Sequence, residues 1–166
     1  MKATPPPISP TLLRDPGHLL ALGFGSGLAP RAPGTFGTLA AIPVYLLCVQ
    51  LPLTFYLLAI AVAFVLGVYL CGRTAQALGV HDHPGIVWDE VVGYLLTMTL
   101  APPGWLWVVI GFVLFRIFDI LKPWPIRVLD RSVHGGFGIM IDDVLAGVGA
   151  ALILEILHRA SVFTGG

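Results

Sequence analysis

Uncharged runs broken by proline and glycine set the pattern of the chain. Leu53 to Cys71 contains no charged residue, which is close to the length a helix needs to cross the roughly 30 Å hydrocarbon core of a bilayer. Phe36 to Leu51, Ile86 to Ala101, Trp105 to Leu121 and Gly138 to Leu157 repeat the pattern with a few polar interruptions. Thr35 is a good N-cap for the first of these runs, and Pro43 inside it predicts a kink. Pro52 and Pro102-Pro103-Gly104 mark turns. His18 to Pro30 starts apolar but reaches Gly-Phe-Gly-Ser-Gly too soon to cross, and reads as interfacial or re-entrant. The pattern predicts an all-α, polytopic integral membrane bundle of about four to five membrane helices plus that short N-terminal segment.

Composition agrees. Hydrophobic residues make up 57% of the 166-residue chain and charged ones 11%, with a mean hydropathy of +0.90; an average soluble domain is about 25% charged. The expected organisation is a loosely ordered proline-rich leader over 1–17, a single membrane-embedded domain over 18–160 and a short tail over 161–166. The leader lacks the continuous apolar core of a signal peptide, which leaves the first span to direct insertion. Cys48 and Cys71 fall in different runs near opposite membrane faces and read as packing residues.

Net charge is zero, so no global attraction to nucleic acid is expected, but the charges are sorted. With alternating spans and a cytoplasmic N-terminus, Lys2, Arg14, Arg31, Arg73, Arg116, Lys122, Arg127 and Arg131 lie at or beyond cytoplasmic ends and only Arg159 lies outside, as the positive-inside bias requires. Asp82, Asp89, Glu90, Asp119, Asp130, Asp142 and Asp143 fall on the same side.

Carboxylates at the edge of apolar helices are costly, and intramembrane acids are by default functional candidates. Asp89 and Asp143 each have a glycine four residues on, Gly93 and Gly147, so the two helices are expected to meet closely with their acids in register. Adjacent residues diverge by about 100°, so the two acids of a pair cannot point the same way, but one of each pair can face the bundle centre. Oxygen donors without a cysteine and histidine set are the ligands Mg²⁺ prefers; the alternative is a structural network neutralised by Arg116, Lys122, Arg127 and Arg131. The segment GFGSGLAPRAPGTFGT offers backbone amides, Arg31 and a helix start at Thr35, which suit either a flexible turn or a phosphate site, without the Gly-Lys-Ser/Thr of a nucleotide-binding loop. His81, Asp82 and His83 form a poor zinc half-site, leaving capping, acid–base chemistry or a plain loop. Trp88, Trp105, Trp107 and Trp124 read as interfacial anchors.

Four segments, GFGSGLAPRAPGTFGT, HDHPGIVWDEVVG, FRIFDILKPWPIRVLD and VHGGFGIMIDDVLAG, resemble the bacterial phosphatidylglycerophosphatase A family, over about His18 to His158. The resemblance implies Mg²⁺-dependent hydrolysis of the phosphate monoester of phosphatidylglycerophosphate, giving phosphatidylglycerol and inorganic phosphate, in the inner membrane of a bacterial cell with the site facing the cytoplasm. The leader lies outside the family pattern. No Cys-x₅-Arg or Asp-x-Asp-x-Thr signature is present, which favours attack by a metal-activated water. The expected metal ligands are Asp89, Glu90, Asp142 and Asp143, with Asp119 as a further ligand or base. Arg31, Thr35, Arg116 and Lys122 are the expected phosphate-binding residues, and His81 or His83 the donor to the leaving alkoxide. The partner is a membrane phospholipid, with no nucleic acid or nucleotide. A carboxylate-relay ion transporter and a CDP-alcohol-type lipid phosphotransferase are the competing readings; the chain shows neither an internal repeat nor the Asp-Gly, Ala-Arg and spaced-Asp pattern of the latter.

Overall fold

The computed structural model describes residues 6–164 and contains only helices and turns among them. Helix α1 spans Pro16–Ala21, α2 Pro33–Cys48, α3 Leu53–Leu78, α4 Trp88–Thr97, α5 Trp105–Leu121, α6 Ile126–Ser132 and α7 Gly135–Thr164. Two of them, α3 and α7, are long and apolar enough to cross a membrane. Helix α5 matches its predicted bounds, whereas α3 runs beyond Cys71 to Leu78, into the stretch between the apolar runs Leu53 to Cys71 and Ile86 to Ala101. The stretch between the apolar runs Trp105 to Leu121 and Gly138 to Leu157 holds the seven-residue α6. The start of α2 is also corrected: Thr35 is not its cap. Pro33 takes the first helical position, where its fixed φ is preorganised, and Ala32 before it adopts a left-handed conformation.

The core is built around α4. Glu90, Val91, Val92, Gly93, Tyr94, Leu95 and Thr97 are all buried, and α2, α3, α5 and α7 pack around them. Its ten residues rise about 15 Å, roughly two-thirds of the about 24 Å that the run Ile86 to Ala101 suggested. The helix unwinds into turns over Met98 to Ala101, and the carbonyls this frees are taken up inside the bundle. Tyr56 donates to the Leu95 carbonyl at 2.6 Å, and Thr99 to that of Leu96 at 2.8 Å. Irregular backbone at membrane depth is tolerated only when buried and bonded in this way.

The glycine register of α4 and α7 is as expected. A Cβ on Gly93 would stand 2.8 Å from the Asp143 carbonyl oxygen, and one on Gly147 would stand 2.5 Å from the Gly93 carbonyl oxygen. Only hydrogens fit at this crossing, and Thr97 bridges it by donating to Gly93 and Gly147 carbonyls. Outward faces are apolar: Leu58, Val62, Val65 and Tyr69 on α3, Leu106, Val109 and Val113 on α5, and Leu152 and Ile156 on α7 are all exposed. So much contiguous apolar surface marks contact with a membrane. Trp105 and Trp124 are exposed, whereas Trp88 is pinned to α3 by donating to the Ala63 carbonyl at 3.0 Å, which corrects its reading as an interfacial anchor. Cys71 is buried with its thiol 3.8 Å from the Met140 sulfur.

The leader is more structured than its composition suggested, because polar groups along it find partners in the body. Asp15 caps α1 by accepting from Gly17 N at 2.8 Å and pairs with Arg73 at 2.6 Å. The Arg73 guanidinium holds its carboxyl down at about 2. His18 is buried, with Nδ1 2.9 Å from the Thr74 hydroxyl. The predicted leader residues 1–5, Lys2 among them, and the last two residues of the tail lie outside the described residues; the rest of the tail continues α7.

Candidate active site

The starts of α2, α4 and α7, the end of α5 and the connector after α3 converge at one end of the bundle. They enclose a cavity of about 260 Å³ in which six carboxylates, those of Asp82, Asp89, Glu90, Asp119, Asp142 and Asp143, face two cations, Arg116 and Lys122. Alternation of helix direction puts these residues at one end, as the charge pattern of the chain requires.

Within the cavity, Asp89, Glu90 and Asp143 each place a carboxylate oxygen within 4.8 Å of the others. Asp89 Oδ1, Glu90 Oε2, Asp142 Oδ1 and Asp143 Oδ2 are buried without a hydrogen-bond partner. An unpartnered buried carboxylate oxygen is strongly unfavourable, and a hard divalent cation with an all-oxygen shell relieves it. The residues therefore fit Mg²⁺.

Both members of the Asp142–Asp143 pair line the cavity, although as neighbours on a helix they diverge. The divergence is used: Asp143 joins the three-carboxylate group, while Asp142 turns to Lys122. Lys122 ends α5 with φ 42°, a left-handed conformation that costs a non-glycine residue about 1 kcal/mol or more. Its ammonium bonds Asp142 and also Asp130 on α6 at 2.5 Å. Burial opposes the charge, but these two carboxylates outweigh it and hold Lys122 above its usual range.

Arg116 and Asp119 sit one turn apart on α5, with Nη1 2.5 Å from Asp119 Oδ2 and 3.7 Å from Glu90 Oε1. Arg116 Nε is buried and has no hydrogen-bond partner, a donor left for a ligand. Gly34, in the first turn of α2, makes this approach fit: a Cβ there would run into Glu90 Oε1 and stand 3.0 Å from Arg116 Nη1. Nothing in the sequence distinguished Gly34 from other turn glycines except its place after a helix-starting proline.

Other expected residues lie elsewhere. Arg31 is exposed, and neither it nor Thr35 lines the cavity. The glycine segment is packed rather than open to an anion, because Gly27 lies against the Gly85 backbone and Gly23 against Val87. His83 is buried outside the cavity with both ring nitrogens bonded. His81 lies in an adjoining chamber that shares Asp82 and Asp142 with the acid cavity, and its ring meets that of His134 edge-on at 4.6 Å.

The family profile for phosphatidylglycerophosphatase A matches residues 19–158. The phosphatidylglycerophosphatase A of Escherichia coli (strain K12) is 56% identical over 87% of this chain and 85% of its own. That of Haemophilus influenzae is 49% identical over 89% of this chain and 92% of its own. A Bacteroides thetaiotaomicron protein, 39% identical over 83% of this chain and 91% of its own, carries a provisional name as a phosphatidylinositol-3-phosphatase. No solved structure matches the chain. With the acid cavity built from the same segments that the profile covers, the chain belongs to the phosphatidylglycerophosphatase A family.

Proposed function

We propose that the chain is a multi-pass, single-domain membrane phosphatase that uses Mg²⁺ to hydrolyse the phosphate monoester of phosphatidylglycerophosphate at the cytoplasmic face. One observation carries the reading: three carboxylates with unpartnered buried oxygens stand together in a cavity beside an arginine with a free donor. Their place at one end of the bundle suits a lipid headgroup at the membrane surface. It does not suit a transporter, whose ion site lies near the midplane.

Asp89, Glu90 and Asp143 would hold the ion, which when bound polarises the phosphate and acidifies a water. Arg116 and Lys122 offset charge on the non-bridging phosphoryl oxygens. Asp119, against Arg116, fixes the plane of the guanidinium and accepts the proton of the attacking water. Hydrolysis forms a bond from that water's oxygen to phosphorus and breaks the bond from phosphorus to the headgroup oxygen. His81, from the adjoining chamber, supplies the proton to the departing alkoxide.

The test is phosphate release from phosphatidylglycerophosphate in detergent micelles, with and without Mg²⁺. Glu90→Gln and Asp143→Asn should each lower turnover by at least about 100-fold in a folded protein, and near-normal turnover in either sinks the ligand assignment. Phosphatidylinositol 3-phosphate, offered in parallel because of the Bacteroides relative's name, should be the poorer substrate; the opposite preference replaces the headgroup assignment and leaves the chemistry in place.

A further inference from the structure

His83 is 6% exposed and has both ring nitrogens engaged. Gly85 N donates to Nδ1 at 3.0 Å, so Nδ1 is the acceptor and the ring proton sits on Nε2. Nε2 then donates to the carbonyl oxygen of Pro6 at 2.9 Å, joining the leader to the connector that runs from Gly79 to α4. Two further contacts reinforce the join. The Ile8 side chain lies over Gly85, where an added Cβ would be 2.8 Å from its Cδ1, and Gly27 packs on the Gly85 backbone. Farther along, Asp15 ties the leader to Arg73 near the end of α3, and the Val87 amide bonds the Ala21 carbonyl at 2.9 Å.

The connector held in this way is one wall of the acid cavity. Asp82, Pro84 and Ile86 line it, and Asp89 begins two residues after Val87. The leader residues that make the join precede the family match, which begins at residue 19.

We propose that His83 is a positioning residue, a clasp through which the proline-rich leader fixes the connector and with it Asp82 and the first turn of α4. The inference rests on the acid cavity being the site of phosphate release. It assigns no proton transfer to His83, and it gives residues 6–15 a task the family's shared region does not cover.

The full-length chain with His83→Ala, His83→Gln and no substitution is compared by amide hydrogen exchange over 79–87 and by kcat and KM for Mg²⁺-dependent phosphate release. Glutamine's amide can donate to Pro6 as Nε2 does. The alanine variant should exchange faster across the connector and lose on the order of 10-fold in kcat/KM, the usual effect of removing a group that orients ligating residues. The glutamine variant should recover most of both. Unchanged exchange in the alanine variant overturns the clasp. So does a loss of about 1,000-fold with normal exchange, because His83 would then act on the substrate itself. If the unsubstituted chain releases no phosphate, the active-site reading fails on its own, while the exchange data still decide whether His83 holds the connector.

Discussion

Gly34→Ala is the sharpest probe of the cavity, because stability and activity should move independently. The added methyl would overlap Glu90 Oε1 and press on Arg116 Nη1. Restoring an ordinary 3.4 Å contact moves the Glu90 carboxylate or the first turn of α2 by about 1 Å, and misplacement on that scale costs about 100-fold in rate. Alanine is a better helix former than glycine by up to about 1 kcal/mol, and Gly34 lies within α2, so the thermal midpoint should change little. Because Glu90 is one of the three grouped carboxylates, the Mg²⁺ concentration for half-maximal activity should rise as well. Steady-state phosphate release across a Mg²⁺ titration, alongside thermal unfolding in the same detergent, reads all three quantities. An alanine variant with kcat/KM within twofold of the original and an unchanged Mg²⁺ requirement would refute the claim that the start of α2 forms the wall over Glu90.

Asp142→Asn should lower turnover less than Asp143→Asn and leave the Mg²⁺ requirement nearly unchanged, since Asp142 faces Lys122 rather than the three-carboxylate group; an equal shift in the Mg²⁺ titration would place Asp142 among the ligands. Gly147→Ala should destabilise the bundle by about 1–3 kcal/mol through overpacking against the Gly93 carbonyl, read as a lower midpoint in thermal unfolding. Asp15 is held at about 2 by Arg73, so its contribution to stability is complete above the unfolded carboxylate value of about 3.9 and fades as pH falls toward 2. The unfolding midpoints of the original chain and Asp15→Asn should therefore differ at pH 5 and converge near pH 2, and a gap that stays constant with pH would show the pair contributes nothing.

The long apolar runs made α3, α5 and α7 readable, because hydrophobic length is a local property of the sequence. The Gly93 and Gly147 spacing went further and located the α4–α7 crossing. What the runs concealed was the length of α4: Ile86 to Ala101 is apolar enough for a full span, but whether such a stretch stays helical depends on side chains such as Tyr56, far away in sequence, that bond its carbonyls. The acids were legible because ionisable groups in an apolar setting demand a reason. Their partners were not, since Lys122 bonding Asp130 and Asp142, or Gly34 under Glu90, are properties of the packed state. His83 shows another limit of the sequence: a polar side chain beside an acid left capping and acid–base chemistry both open, and only the packed chain shows its two bonds tying one backbone segment to another.

The short, buried α4 also has a consequence for how the chain is made. In the multi-pass protein proposed above, synthesised from the N-terminus, α4 reaches the membrane with Asp89 and Glu90 in its first turn, where each acid raises the cost of insertion, by less than the about 2.5–3.5 kcal/mol it would carry at the helix centre. The helix that receives its glycine face, α7, begins only at Gly135. Helices α2 and α3 precede α4 and can pack on its other sides, but until the later segment arrives its glycine face has no surface to bury against, so the order of assembly is written into the chain: the centre of the bundle is completed last.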